Sequence, residues 1–274
     1  MIALSTGSLY TFGIARVFGL TARAGFDGIE VLIDHRWDTR QPAYLRQLSS
    51  DHGLPVTSLH NPFIPQIPGY PSEPTERLMA TVRLAQELNV GTVVLHLPLR
   101  VAYTEIRGHE RRVILPTLPS PYRRLRRWME YELPGFETAT GVRLCVENMP
   151  AHRFLGWRFN PCWWNTVKEW SRFPHLTLDT THLGTWGLDP LVVYRQIKAR
   201  VCHLHLSNFN GEEHRRLEDG PLRLAELLRE MRADSYQGAI VVELDPSAIA
   251  TDDEARLIEQ LRAQLAFCRN HFPG

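Results

Sequence analysis

Eight short runs dense in Val, Ile and Leu punctuate the chain of 274 residues, and helical patterns fill the intervals between them. The runs are Ile2–Ser5, Gly28–Leu32, Val56–His60, Thr92–His96, Arg143–Glu147, Leu176–Asp179, Val201–Leu206 and Ala239–Leu244. Stretches this short and this apolar fit strands buried on both faces, as in a parallel sheet. Strand then helix, eight times over, predicts an α/β protein closed into a (β/α)8 TIM barrel, one domain covering residues 1–274. A doubly wound open sheet is the competing architecture. It is disfavoured because no GxGxxG follows the first run and because ionisable residues stand at nearly every strand end.

Local signals agree with alternation. Asp189 before Pro190 reads as an N-cap and first helical residue, Thr251 with Glu254 as a capping box, and Asn89 to Gly91 as the close of the third helix. Two connections are long. Residues 62–75 carry five prolines and read as an irregular loop over the strand ends. Residues 97–121 contain Arg107, Arg111 and Arg112, and the helix after them opens PYRRLRRW. The arginines of this segment, 107–127, read either as a solvated helix face or as a contact for substrate phosphate.

Composition excludes some classes. No apolar run approaches the roughly 18 residues of a membrane span, and the start MIALSTGSLY enters a strand without a secretory leader, so a cytoplasmic location with no membrane partner is expected. The formal net charge of +1 supplies no field that would gather nucleic acid. Cys145, Cys162, Cys202 and Cys268 form no CxxC pair and are expected to be reduced and unbridged. Of the 31 basic residues only Lys168 and Lys198 are lysines, both in predicted helices, which argues against Schiff-base chemistry at a strand end.

At or just past the strand ends stand Glu30, His60, His96, Glu147, Asp179 with His182, His205 and Glu243; only the first strand lacks such a residue. A barrel brings these ends to one face. Several carboxylates buried together require a compensating cation, and imidazole beside carboxylate is the donor set of Zn²⁺ and Mn²⁺. The pattern therefore predicts a divalent metal site. His203 lies two residues before His205 and points the same way, and His205, nearer the strand end, is the expected ligand. Among the aromatic residues after the fifth and sixth strands, Trp157 and Trp186 are candidates for stacking on a sugar ring or base, whereas Trp163 and Trp164 suit packing of helix on barrel.

These motifs, LCVENMP around Glu147, LTLDTTHLGTWGLD around Asp179 and His182, HLHLSN around His205 and VVELDP around Glu243, resemble the xylose isomerase-like TIM barrel superfamily over nearly the whole chain. That group includes sugar isomerases and epimerases, inosose-processing enzymes and endonuclease IV. The resemblance implies that Glu147, Asp179, His205 and Glu243 bind one divalent ion, Zn or Mn with Mg also possible. Further matches resemble endonuclease IV: His60 in SLHNPF, His96 in VVLHLP, and Glu212 with His214 in EEHRRLEDG, with Gly220 at the expected offset. With His182 these would complete a set for up to three ions, although Glu212 replaces an aspartate of that pattern.

Three functions follow from the resemblance. A sugar or sugar-phosphate isomerase or epimerase would use metal-chelated enediolate chemistry, with Glu147 and Glu243 exchanging the proton, His182 steadying a substrate oxygen and Glu30 among the substrate contacts. Ketose 3-epimerases carry an arginine six residues past His205, where this chain has Gly211. A multi-zinc phosphodiesterase acting on abasic DNA is the alternative, and an inactive metal- or ligand-binding barrel the third.

Overall fold

The computed structural model describes residues 1–63, 66–100, 102–107, 112–117, 120–154 and 157–273, and for 102–107, 112–117, 153 and 154 the backbone alone. The strands are β1 (Ile2–Ser5), β2 (Gly28–Leu32), β3 (Val56–His60), β4 (Thr92–His96), β5 (Ala102–Arg107), β6 (Arg112–Thr117), β7 (Arg143–Glu147), β8 (His152–Phe154), β9 (Trp157–Phe159), β10 (Leu176–Asp179), β11 (Val201–Leu206) and β12 (Ala239–Val242). Eight of them close a parallel barrel in the order β1, β12, β11, β10, β7, β4, β3, β2. This is the (β/α)8 TIM barrel. Seven of its strands match the apolar runs; the eighth ends at Val242, so Glu243 leaves the strand, though its N–H still bonds Leu206 O at 3.2 Å.

The helices are α1 (Ile14–Ala24), α2 (Pro42–His52), α3 (Pro74–Leu88), α4 (Arg123–Tyr131), α5 (Leu133–Thr140), α6 (Val167–Trp170), α7 (Thr180–Trp186), α8 (Pro190–Ile197), α9 (Leu224–Ala233) and α10 (Glu254–His271). Asp189 caps α8 through Leu191 N, and Asn89 closes α3 in the left-handed conformation at φ 57°. The expected Thr251 box is displaced: Asp253 caps α10 by accepting from Arg256 N, because a carboxylate one residue before the helix reaches the free N–H groups directly. Strands and helix faces share one apolar core. Its largest fully buried members include Trp170, whose indole N–H finds Val146 O at 2.8 Å. Each such side chain contributes about 1.5–3 kcal/mol through burial. Among the described residues, no helix is long and apolar enough to cross a membrane.

Two antiparallel hairpins rise from the C-terminal rim. One, β5 with β6, occupies the long connection after β4; the other, β8 with β9, follows β7. Arg111 and the side chains of Arg107 and Arg112 lie outside the described residues. In α4, Leu125, Trp128 and Met129 face inward while Arg123, Arg124 and Arg127 are exposed, and Arg124 pairs with Glu73 and Glu76 of the α3 terminus. That part of the arginine run is a solvated face.

Candidate functional site

The ends of β7, β10, β11 and β12 converge on one point. Glu147, Asp179, His205 and Glu243 offer donor atoms that all lie within 4.8 Å of one another. His205 Nδ1 is the hub, 3.0 Å from Glu147 Oε1, 3.0 Å from Glu243 Oε2 and 3.9 Å from Asp179 Oδ2. Strand register sets their relative height: Asp179 pairs with His205, whereas Glu147 pairs with Thr177, two residues before Asp179.

Burial makes this arrangement costly without a cation. Among the described residues, neither Glu147 Oε2 nor Asp179 Oδ2 has a hydrogen bond of good geometry, although both are buried. Orphaned carboxylate oxygens facing one imidazole nitrogen form a hard donor set that fits a divalent ion. Electrostatics record the same tension. Burial alone would raise Glu147, but the facing His205 and His96 imidazoles hold it well below the usual carboxylate range. Glu243 is drawn to about 2 despite burial, chiefly by His205. Asp179 goes the other way: burial pushes it well up, reinforced by the charges of Glu147 and Glu243. Burial would lower His205, yet Glu30, Glu243 and Glu147 hold it well above the usual imidazole value.

Around this centre stand the remaining histidines. His60 Nε2 and His96 Nε2 approach Glu147 Oε2 at 3.3 Å and 3.0 Å. His60 donates its Nδ1–H to Asn61 O at 2.9 Å. His182 likewise places Nδ1 2.8 Å from Asn148 O; a carbonyl only accepts, so the proton sits on Nδ1 and Nε2 carries the lone pair. Asp179, His182 and His214 form a second group whose donor atoms lie within 4.8 Å. His214 is held at φ 55°, a conformation unusual outside glycine, by Thr181 Oγ1 accepting its N–H at 3.1 Å.

Three expected site residues fall elsewhere. Glu212 turns away, its side chain 74% exposed and paired with Arg215 at 3.0 Å; the adjacent Glu213 instead brings Oε2 to 3.8 Å from His182 Nε2. Glu30 lies in mid-strand and fully buried under His205, so it cannot meet a substrate. Trp157 is 80% exposed on the β8–β9 hairpin. Trp186 does line a cavity of about 270 Å³ with Asn148, Met149 and Leu183, and its indole donates to Met149 O.

Sequence reasoning missed two contributors. Asn148 clamps the end of β10, accepting from Asp179 N and donating to Asp179 O while its own carbonyl orients His182. Its position immediately after Glu147 in LCVENMP was the available signal. Phe63, half exposed, stacks on His96 with ring centroids 5.7 Å apart and presents an aromatic face at the mouth.

Comparison with known proteins agrees with the barrel fold. A family model described as xylose isomerase-like TIM barrel matches residues 18–269. Uncharacterized proteins of Mycobacterium leprae and Mycobacterium tuberculosis are each 26% identical, covering 95% and 98% of this chain and 95% and 97% of their own. Among solved structures, the 3-keto-D-glucoside 4-epimerase of E. coli superposes with a TM-score of 0.70 at 18% identity, covering 98% of both chains. A D-psicose 3-epimerase crystallised in the presence of D-fructose gives 0.70 at 19% identity, covering 100% of this chain and 99% of its own. The probable 3-DHS dehydratase of Bacillus anthracis gives 0.62 at 14%, with 96% and 98% covered.

Proposed function

Because the chain belongs to the xylose isomerase-like TIM barrel family, we propose that it is a divalent-metal-dependent isomerase or epimerase of a sugar or sugar phosphate. The observation that carries this reading is the convergence of Glu147 and Glu243 on the same imidazole nitrogen from different strands of the wall. Glu147, Asp179, His205 and Glu243 would hold the ion, Zn²⁺ or Mn²⁺ with Mg²⁺ also compatible. When bound there, a divalent cation balances the carboxylates and polarises a substrate carbonyl, making the adjacent C–H more acidic.

The chain's own groups then handle the proton. Glu243, its side chain 15% exposed against 1% for Glu147, is the more open carboxylate and serves as the first acceptor. Glu147, three places round the wall, returns the proton from the other side, which inverts or relocates the centre. His182, with its proton fixed on Nδ1, turns Nε2 toward a substrate hydroxyl. Phe63 offers an apolar face to the sugar ring.

A multi-zinc phosphodiesterase acting on abasic DNA is the second reading, favoured by the group of Asp179, His182 and His214 beside the first. Metal analysis of the purified protein separates the two. One ion per chain, with proton exchange and epimerisation on a panel of ketoses and their phosphates, supports the isomerase. Three zinc ions and cleavage of duplex DNA at an abasic site would replace it with the phosphodiesterase.

A further inference from the structure

Below the four-residue centre lies a second buried layer. Glu30 Oε1 is 3.0 Å from His205 Nε2, the ring nitrogen opposite the hub, an electrostatic contact off the axis of a hydrogen bond. Glu30 Oε2 is 2.8 Å from His203 Nε2 and accepts the Ser58 hydroxyl at 2.7 Å. Glu30 is 0%, Ser58 0% and His203 1% exposed, so no solvent competes for these contacts. Residues 30, 58 and 203 come from β2, β3 and β11, and strand pairing fixes them: Glu30 is opposite Ser58 in the β2–β3 ladder.

We infer that Glu30 is a positioning residue for the metal ligand His205, held in place by His203 and Ser58. A neutral imidazole that gives its Nδ1 lone pair to an ion must carry its proton on Nε2, and a carboxylate beside Nε2 selects that tautomer. Ser58 and His203 both address Oε2, which turns Oε1 toward His205 and leaves the carboxylate one orientation. The arrangement assigns His203 a task that is not ligation, and it explains a buried Glu with no route to the mouth.

The inference rests on His205 being a ligand, as in the function proposed above, and Co²⁺ binding tests it without any substrate. In Glu30→Gln, Ser58 and His203 retain the amide oxygen at the Oε2 position, so the NH₂ group faces Nε2. That favours the tautomer with the proton on Nδ1, where the lone pair is needed. Titration with Co²⁺, followed by its visible absorption, is expected to show affinity 10- to 100-fold weaker than wild type, with unchanged far-ultraviolet circular dichroism. Ser58→Ala, a milder change that frees the carboxylate to swing, is expected to weaken binding in the same direction by less. In turnover, kcat falls while KM holds, because Glu30 does not reach the substrate. Co²⁺ affinity within twofold of wild type in folded Glu30→Gln overturns the inference, as does loss of a second bound ion, which would make Glu30 itself a ligand. Failure of the wild-type protein to bind Co²⁺ would instead sink the functional reading.

Discussion

Asp179 Oδ1 accepts the backbone N–H of His182 at 2.8 Å, so one carboxylate both starts helix α7 and turns its second oxygen into the donor cluster. The two oxygens have separate duties. Asp179→Asn keeps the cap, since an amide oxygen accepts equally well, and removes the carboxylate that would meet a bound ion. The metal-free protein should therefore melt no lower than wild type while divalent-ion affinity collapses. Asp179→Ala loses the cap as well, and a melt about 2–4 °C below Asp179→Asn is expected from the ~1 kcal/mol of a lost N-cap. Equal melting of the two variants would contradict the double role.

Protons would compete with a metal at this centre. His205 and Asp179 both have raised pKa values, so the metal-free protein retains protons that ligation must displace. Apparent affinity should therefore climb as pH rises between about 6 and 8, by up to one log unit per pH unit for each proton displaced. Calorimetry in buffers of different ionisation enthalpy counts the protons released; a flat affinity across that window is the contrary result.

Glu243→Gln removes the proposed proton acceptor while preserving its shape. Turnover is expected to fall by about 10²–10⁴, and incorporation of solvent deuterium into the substrate should fall in parallel. Unchanged exchange would place the base elsewhere.

The four cysteines are free, yet they differ in chemistry. Hydrogen bonds from Cys145 and His175 draw the Cys202 thiol down to about 5 against the opposing effect of partial burial. Burial pushes Cys162 and Cys268 up to about 12. Iodoacetamide should label Cys202 first, at a rate nearly flat from about pH 6 to 8, since a thiolate already formed gains nothing from added base. Labelling of Cys162 or Cys268 before Cys202 in the native protein would refute this.

Gly220 sits where a Cβ would lie 2.4 Å from Asn208 Oδ1 and 2.7 Å from Phe209 O. Asn208 ties the loop that carries His214, donating to Leu217 O and Gly220 O and accepting from Leu222 N. Gly220→Ala is expected to cost ~1–3 kcal/mol and to speed limited proteolysis between residues 208 and 222. Wild-type melting together with wild-type proteolysis would show that the loop yields without strain.

Alternation of apolar runs and helices sufficed to read the barrel, since a strand buried on both faces leaves an unmistakable short apolar block. Residues at the last position of such a block, Glu147 and Asp179, were legible for the same reason. Depth was not. Glu30 stands two residues before the end of Gly28–Leu32 and so belongs to a lower layer of the barrel interior, a distinction that requires the strand register. Glu213 rather than Glu212 faces His182, in a loop where His214 adopts positive φ, a turn that no periodicity announces. The β5–β6 hairpin was hidden in residues 97–121, which read as a long connection marked only by its arginines.

The four donors at the centre belong to β7, β10, β11 and β12, neighbours along one continuous arc of the barrel wall. On the other side of β7, β3 and β4 are followed by the loop that bears Phe63 and by the β5–β6 hairpin, while the β8–β9 hairpin follows β7 itself. Insertions in the loops after β3 and β4 would therefore change the rim without shifting β10, β11 or β12, and the donor-bearing arc would stay as it is.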